Sequence, residues 1–191
     1  MLAVGAVLAV HFYAFNASLE LTSVASATVL VTSHPLLVGI LGLLFLRERP
    51  SSGGLGLIVG LGGVIVISFA DLGSGRLEGD LLALVGMLAA AVYLLAGRAV
   101  RQKVGLMNYV LIVYASCTAV LFLICLANGS PLGPYPPREI AIFLALAIVS
   151  TLMGHTVLNW SLRYLPAAFV SVSMLGEPVG ASILAALLLA E

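Results

Sequence analysis

Seven uninterrupted apolar runs dominate this chain, and their length decides which folds are open to it. They are Met1 to Leu19, Val24 to Leu46, Gly54 to Ala70, Leu81 to Ala99, Leu106 to Ala127, Ile140 to Leu162 and Ala167 to Ala190. Runs of about 17 to 25 residues match an α-helix crossing the hydrocarbon core of a bilayer. No period-2 alternation interrupts them, which argues against the strands of a membrane barrel. Charge is correspondingly scarce: 8% of the 191 residues are Asp, Glu, Lys or Arg, against about 25% in a soluble domain. The expected fold class is therefore all-α integral membrane, with seven transmembrane helices in this chain.

The few charges sit mostly between the runs, and their placement is uneven. Arg47 and Arg49, then Arg98, Arg101 and Lys103, then Arg163 occupy the second-to-third, fourth-to-fifth and sixth-to-seventh connections. The alternate connections hold only Arg76 and Arg138. By the positive-inside tendency the first set faces the cytoplasm, as expected for a multi-pass protein of the cell (inner or plasma) membrane. Met1 to Leu19 has no cationic start of the kind a secretory signal carries. Acidic and basic side chains balance, with no basic patch, so no nucleic-acid partner is expected. Cys117 and Cys125, two turns apart in one run, suit neither an intrahelical disulfide nor a metal site. No phosphate-binding, zinc-protease or nucleophile-elbow motif occurs, so no cofactor or metal is expected and ATP-driven pumping is disfavoured.

The chain also repeats itself. Shifted by 143 residues, His11 to Glu48 lies on Gly154 to Glu191 without a gap and with eleven identities in 38 positions. Asn16 falls on Asn159, Ser18 on Ser161, Pro35 on Pro178 and Glu48 on Glu191. Shared apolar composition explains matched leucines but not that aligned set of polar residues and proline. The shift moves the second run onto the seventh, five spans along, so the repeats have opposite topology. Inverted repeats are a recurrent design of secondary transporters, in which interrupted helices bind substrate near the midplane. Residues 1–72 are read as the later part of one repeat (three helices), and 79–191 as most of the other (four helices). Completing both repeats requires ten spans, with two more before Met1 and one after Glu191.

The same repeat picks out a site. Glu177-Pro178 stands at the eleventh position of the last run, and His34-Pro35 at the eleventh of the second. An ionised group at mid-bilayer costs about 2.5 to 3.5 kcal/mol on insertion scales, so such residues face a bundle interior or cavity. Each proline lacks an N–H, so Pro35 frees the carbonyl of Val31, and Pro178 that of Met174. Glu177 is read as functional, in preference to a neutral acid bonded to a neighbouring helix. His34 suits either a site or a simple bridge between helices. Asn16 and Asn159 suit packing first, by satisfying broken backbone from the preceding span. Trp160 and Tyr93 could wall a cavity, Tyr93 the better because it shares a face with Gly86, Ala90 and Gly97. His155 and Tyr13 are weaker, while Glu48 and Glu191 are read as boundary markers.

Gly154 to Ala167 (GHTVLNWSLRYLPA), Gly176-Glu177-Pro178-Val179 and the ending Leu187 to Glu191 resemble the second half of an EamA-type transporter of the drug/metabolite transporter superfamily. Leu43 to Arg49 (LLFLRER), Gly79-Asp80-Leu81-Leu82-Ala83, Tyr93 and Gly97-Arg98 resemble further landmarks of that family. The resemblance covers essentially the whole chain. It implies ten helices in two five-helix inverted repeats, of which this chain would hold the third to the ninth, and export or exchange of small metabolites. The expected function is a secondary transporter working by alternating access. Its partners would be the lipid bilayer, a small-molecule substrate, and protons or another coupling ion. His34 and Glu177 would flank the substrate, Asn16, Asn159, Trp160 and Tyr93 would shape its site, and Glu177 would be the protonatable coupling group. The alternatives are an intramembrane enzyme, for which Ser171 or Ser173 with His155 is the only available pairing, and a non-transporting scaffold.

Overall fold

The computed structural model describes residues 1–48, 62 and 77–176. The third run, most of the seventh, and with them Glu177 and Pro178 lie outside the described residues. All regular structure among the described residues is helical: α1 (Leu2–Leu21), α2 (Val24–Thr32), α3 (His34–Leu41), α4 (Leu77–Arg101), α5 (Leu106–Ala127), α6 (Pro137–Ala145), α7 (Thr156–Ser161) and α8 (Ala167–Ser173). A π-helical turn, Gly42–Leu46, continues α3, and a ten-residue π-helical stretch, Leu146–His155, joins α6 to α7. Five continuous segments are long and apolar enough to cross a membrane: Leu2–Leu21, Ser26–Leu46, Leu77–Arg101, Leu106–Ala127 and Pro137–Ser161. They correspond to the first, second, fourth, fifth and sixth apolar runs.

The boundaries differ from the apolar runs where polar residues favour a helix end. The fourth span is helical through Leu77 to Arg101, so it includes Glu78 and Asp80, which precede the apolar run that starts at Leu81. The sixth begins at Pro137, whose missing N–H costs nothing in a first turn. The second span breaks at Ser33, just before His34-Pro35, as the proline requires.

Helix α4 is the centre of the bundle. Gly79, Ala83, Gly86, Ala90, Tyr93, Gly97 and Arg101, three or four residues apart, form a buried stripe along it. Small residues on that stripe let other backbones come close, the usual basis of helix packing where lipid is as apolar as leucine. A Cβ on Gly79 would lie 2.7 Å from the backbone of Leu21 and Thr22, at the end of α1. The crossing of α1 with α5 is tighter still: a Cβ on Gly5 would lie 2.5 Å from the carbonyl oxygen of Val113. His11 Nδ1 donates to the Gly86 carbonyl (2.9 Å), fastening α1 to α4 at mid-depth. Asp80 accepts from Thr22 (2.8 Å) and Ser26 (2.9 Å), and so holds the α1–α2 corner against the start of α4.

Candidate functional site: a mid-membrane cavity above a polar layer

Helices α1 and α5 and the sixth span line a partly open cavity of about 360 Å³. Leu8, Phe12 and Asn16 contribute from α1, Tyr114, Cys117, Thr118 and Leu121 from α5, and Thr151 and His155 from the π-helical stretch. A cavity of this size, apolar in outline with a few neutral hydrogen-bonding groups, suits a small organic ligand. The ring of His155 meets Phe12 edge-on at 5.4 Å, where the sixth span touches α1. His155 also borders a second cavity of about 460 Å³, with Ser150, Met153, Ser173 and Met174 among its lining. π-Helical turns widen a helix and occur preferentially at functional sites, and this one ends at His155.

Hydrogen-bond bookkeeping fixes what some lining groups still offer. Asn16 Nδ2 donates to the Phe12 carbonyl of its own helix (2.7 Å), and its Oδ1 has no partner among the described residues. Thr156 donates to the Thr151 carbonyl (3.2 Å), so at its contact with Tyr114 (3.3 Å) the tyrosine hydroxyl is the donor. Tyr114 in turn accepts from Asn159 Nδ2 (3.3 Å), and Tyr93 donates to Asn159 Oδ1 (2.8 Å). Asn159 Nδ2 also donates to the Tyr93 hydroxyl (2.6 Å), so Tyr93, Asn159, Tyr114 and Thr156 form one connected hydrogen-bond network. Tyr93 and Asn159 are buried, 4% and 1% exposed, and lie behind the cavity wall, to which this network contributes Tyr114.

Below that layer the basic connections converge. Arg101 Nε donates to the Asn159 carbonyl (2.9 Å), and its Nη1 donates to the Val104 carbonyl. Arg98 Nε donates to Glu48 Oε1 at 2.6 Å, while its Nη1 reaches the carbonyls of Leu162 (2.8 Å) and Arg163 (2.9 Å). Glu48 Oε2 accepts from the backbone N–H of Ala167 (3.1 Å), the first residue of α8. The local fold aims Glu48 there. Arg47 adopts a left-handed conformation (φ 54°), and the Glu48 N–H returns to the Gly42 carbonyl (3.2 Å), a helix-ending turn normally built on glycine.

The residues singled out from sequence thus occupy four different places among the described residues. Asn16 lines the cavity, whereas Asn159 and Tyr93 form the layer beneath it. Asn159 does not repair broken backbone; its amide bonds tyrosine hydroxyls instead. His34 is buried at 2% exposure, and its Nδ1 donates to the Val31 carbonyl (3.0 Å), the group that Pro35 frees. Its Nε2, the acceptor of that tautomer, has no partner among the described residues. Trp160 is half exposed and packs on Tyr164 at 5.2 Å, away from the cavity lining. Ser171 and Ser173 donate to carbonyls of their own helix (2.9 and 2.6 Å), so neither is paired with His155 as a nucleophile would be with its base.

Comparison with known proteins agrees with this architecture. The profile of the EamA-like transporter family matches residues 1–69 and again 77–191. The chain belongs to the EamA-like transporter family. An uncharacterized transporter of Archaeoglobus fulgidus is 31% identical over 176 residues, which is 86% of this chain and 59% of that relative. The chain thus spans about 59% of the length of the curated relative it matches. No solved structure matches it. As an EamA-like protein it is a multi-pass membrane protein of a transporter family, and apolar side chains such as Leu111, Leu123, Ile148 and Val149 are exposed on its spans.

Sequence reasoning passed over Tyr114 and ranked His155 low, although both line the cavity. Neither carries a mark in its own stretch: a tyrosine and a histidine in a membrane helix pack more often than they bind. It also took Glu48 for a boundary marker, whereas the structure joins it to Arg98 and Ala167. The available signal was the charged end of Leu43 to Arg49, a landmark of the family resemblance.

Proposed function

We propose that this EamA-like protein is a secondary carrier that binds a small polar organic metabolite in the cavity between α1, α5 and the sixth span, and moves it by alternating access. The supporting observation is the position of that cavity. It lies between α1, from the first repeat, and two spans of the second, at the depth where inverted-repeat carriers hold substrate. Leu8, Phe12 and Leu121 supply apolar wall, and Asn16, Thr118, Tyr114 and His155 supply neutral hydrogen-bonding groups. Glu177, outside the described residues, remains the proposed coupling acid, with His34 as its repeat counterpart. The connections bearing Arg47, Arg98, Arg101, Lys103 and Arg163 are assigned to the cytoplasm.

The test is a metabolite transport screen with the full-length protein in proteoliposomes, followed by Asn16→Ala and Thr118→Val. Each should raise the KM for the transported compound by about five- to a hundredfold, on the order of the 1 to 3 kcal/mol lost with one buried polar contact, without changing the melting temperature. Unchanged kinetics in both variants would remove substrate from this cavity. Proton-driven transport that persists in Glu177→Gln would remove the coupling role from that residue.

A further inference from the structure

We infer that Glu48 and Arg98 form the clasp that closes the substrate cavity toward the basic face of the protein, and that transport requires the clasp to open. The inference rests on the transport reading and adds the gate. Three chain segments meet at this one ion pair: the end of the second span, the end of α4, and the turn from α7 into α8. Glu48 uses both carboxylate oxygens, one on Arg98 and one on the Ala167 N–H. Arg98 divides its guanidinium between that carboxylate and the carbonyls of Leu162 and Arg163. Both side chains are largely withdrawn from solvent, at 13% and 16% exposure.

The geometry points to a gate rather than to general packing for two reasons. First, the layers stack in order. The cavity lies at and beyond mid-depth, lined on α5 by Tyr114 to Leu121; the Tyr93–Asn159–Tyr114 layer follows, and Arg101 and the clasp close the end. Asn159 joins the two lower levels, with its amide on the tyrosines and its carbonyl on Arg101. Second, the clasp ties elements of both repeats. Glu48 belongs to one repeat, and Arg98, Leu162 and Ala167 to the other, so a rocking motion of one repeat against the other must part these contacts. The left-handed Arg47 presents Glu48 to them, and a non-glycine residue keeps that conformation only where surrounding contacts enforce it.

Sidedness of cavity access tests the proposal. In the full-length protein with Cys125→Ala, Cys117 is the reporter, since it lines the cavity and is 5% exposed. A membrane-impermeant maleimide should label Cys117 from the face opposite the basic connections, and slowly from the basic face. Glu48→Gln should raise labelling from the basic face about tenfold, within the range expected when one contact biases a two-state equilibrium. Glu48→Asp, too short to reach both Arg98 and Ala167, should fall between, and it provides the answer if Glu48→Gln does not fold. Exchanging the charges, Glu48→Arg with Arg98→Glu, should not restore closure, because a carboxylate at 98 cannot donate to Leu162 and Arg163. Wild-type Cys117 labelled equally from both faces would overturn the proposal. So would basic-face labelling that stays at the wild-type rate in both Glu48 variants; a charge exchange that did restore closure would support the pair as the clasp and show that the bonds to Leu162 and Arg163 are dispensable. If no substrate is transported, the transport reading fails, while the labelling still reports whether the clasp closes the cavity.

Discussion

Replacing Asn159 offers a quantitative test of the layer beneath the cavity. Its amide joins two tyrosines from two other helices, with Tyr93 O–H to Oδ1 at 2.8 Å and Nδ2 to Tyr114 at 3.3 Å. Asn159→Leu keeps the volume but strands the Tyr93 hydroxyl, which belongs to a side chain only 4% exposed. An orphaned buried hydroxyl costs about 1 to 3 kcal/mol. Tyr93→Phe removes the donor but leaves Asn159 bonded to Tyr114, so it should cost less, about 1 kcal/mol. In Tyr93→Phe with Asn159→Leu no stranded group remains at that contact, and the double variant should be little worse than Asn159→Leu alone. Interhelical hydrogen bonds in membrane proteins couple by about 0.6 kcal/mol on average and about 1.7 at most. With both groups buried, a coupling energy of about 1 to 1.5 kcal/mol is expected here. Reversible unfolding of the wild type and the three variants in mixed micelles completes the cycle. Losses that add within about 0.3 kcal/mol would show that Tyr93 and Asn159 do not act as a pair, and the layer would have to be abandoned.

Two comparisons probe the packing that positions the site. Gly5→Ala should destabilise by about 1 to 3 kcal/mol, because its Cβ meets backbone at 2.5 Å, whereas Gly86→Ala, with neighbours at 3.4 to 3.6 Å, should be within about 0.5 kcal/mol of wild type by the same unfolding assay. Equal effects would mean that the α1–α5 crossing is looser than described. Asp80→Ala strands the hydroxyls of Thr22 and Ser26 and should cost about 1 to 3 kcal/mol, while Asp80→Asn, which keeps an acceptor, should recover more than half of the loss. A measured cost near zero for Asp80→Ala would show that the α1–α2 corner is held elsewhere.

Much of the fold was legible because a bilayer allows a chain so few choices. An apolar run of spanning length must become a helix, and among the described residues five of the runs reappear as helical spans with ends moved by a few residues, the sixth starting early at Pro137. The Gly86, Ala90, Tyr93, Gly97 face was visible as spacing and is buried as a stripe. Pro35 announced a free Val31 carbonyl, yet only the structure shows His34 turning back to bond it. Long-range partners were not legible. Glu48 and Arg98 are fifty residues apart, and nothing in either stretch names the other. The π-helical stretch at Leu146–His155 left no trace in residue type, since its register is a property of the backbone. For that reason Tyr114 and His155 stood out only once α5 and the sixth span were placed around one space.

The repeat carries the gate argument one step further. The alignment that sets Glu48 on Glu191 also sets Val24 on Ala167. In the described half, the carboxylate that ends one span binds the first N–H of a helix from the other repeat. Glu191 lies outside the described residues, and the sequence repeat alone predicts that its substitution acts at the opposite face as that of Glu48 acts at the basic face. An alternating carrier needs two closures that are never broken together, and two inverted copies of one contact would supply them. If Glu191→Gln opens Cys117 to reagent from the face opposite the basic connections while Glu48→Gln opens it from the basic face, the two clasps work as a symmetric pair. If both substitutions act on the same face, the symmetry of the sequence does not extend to the gates.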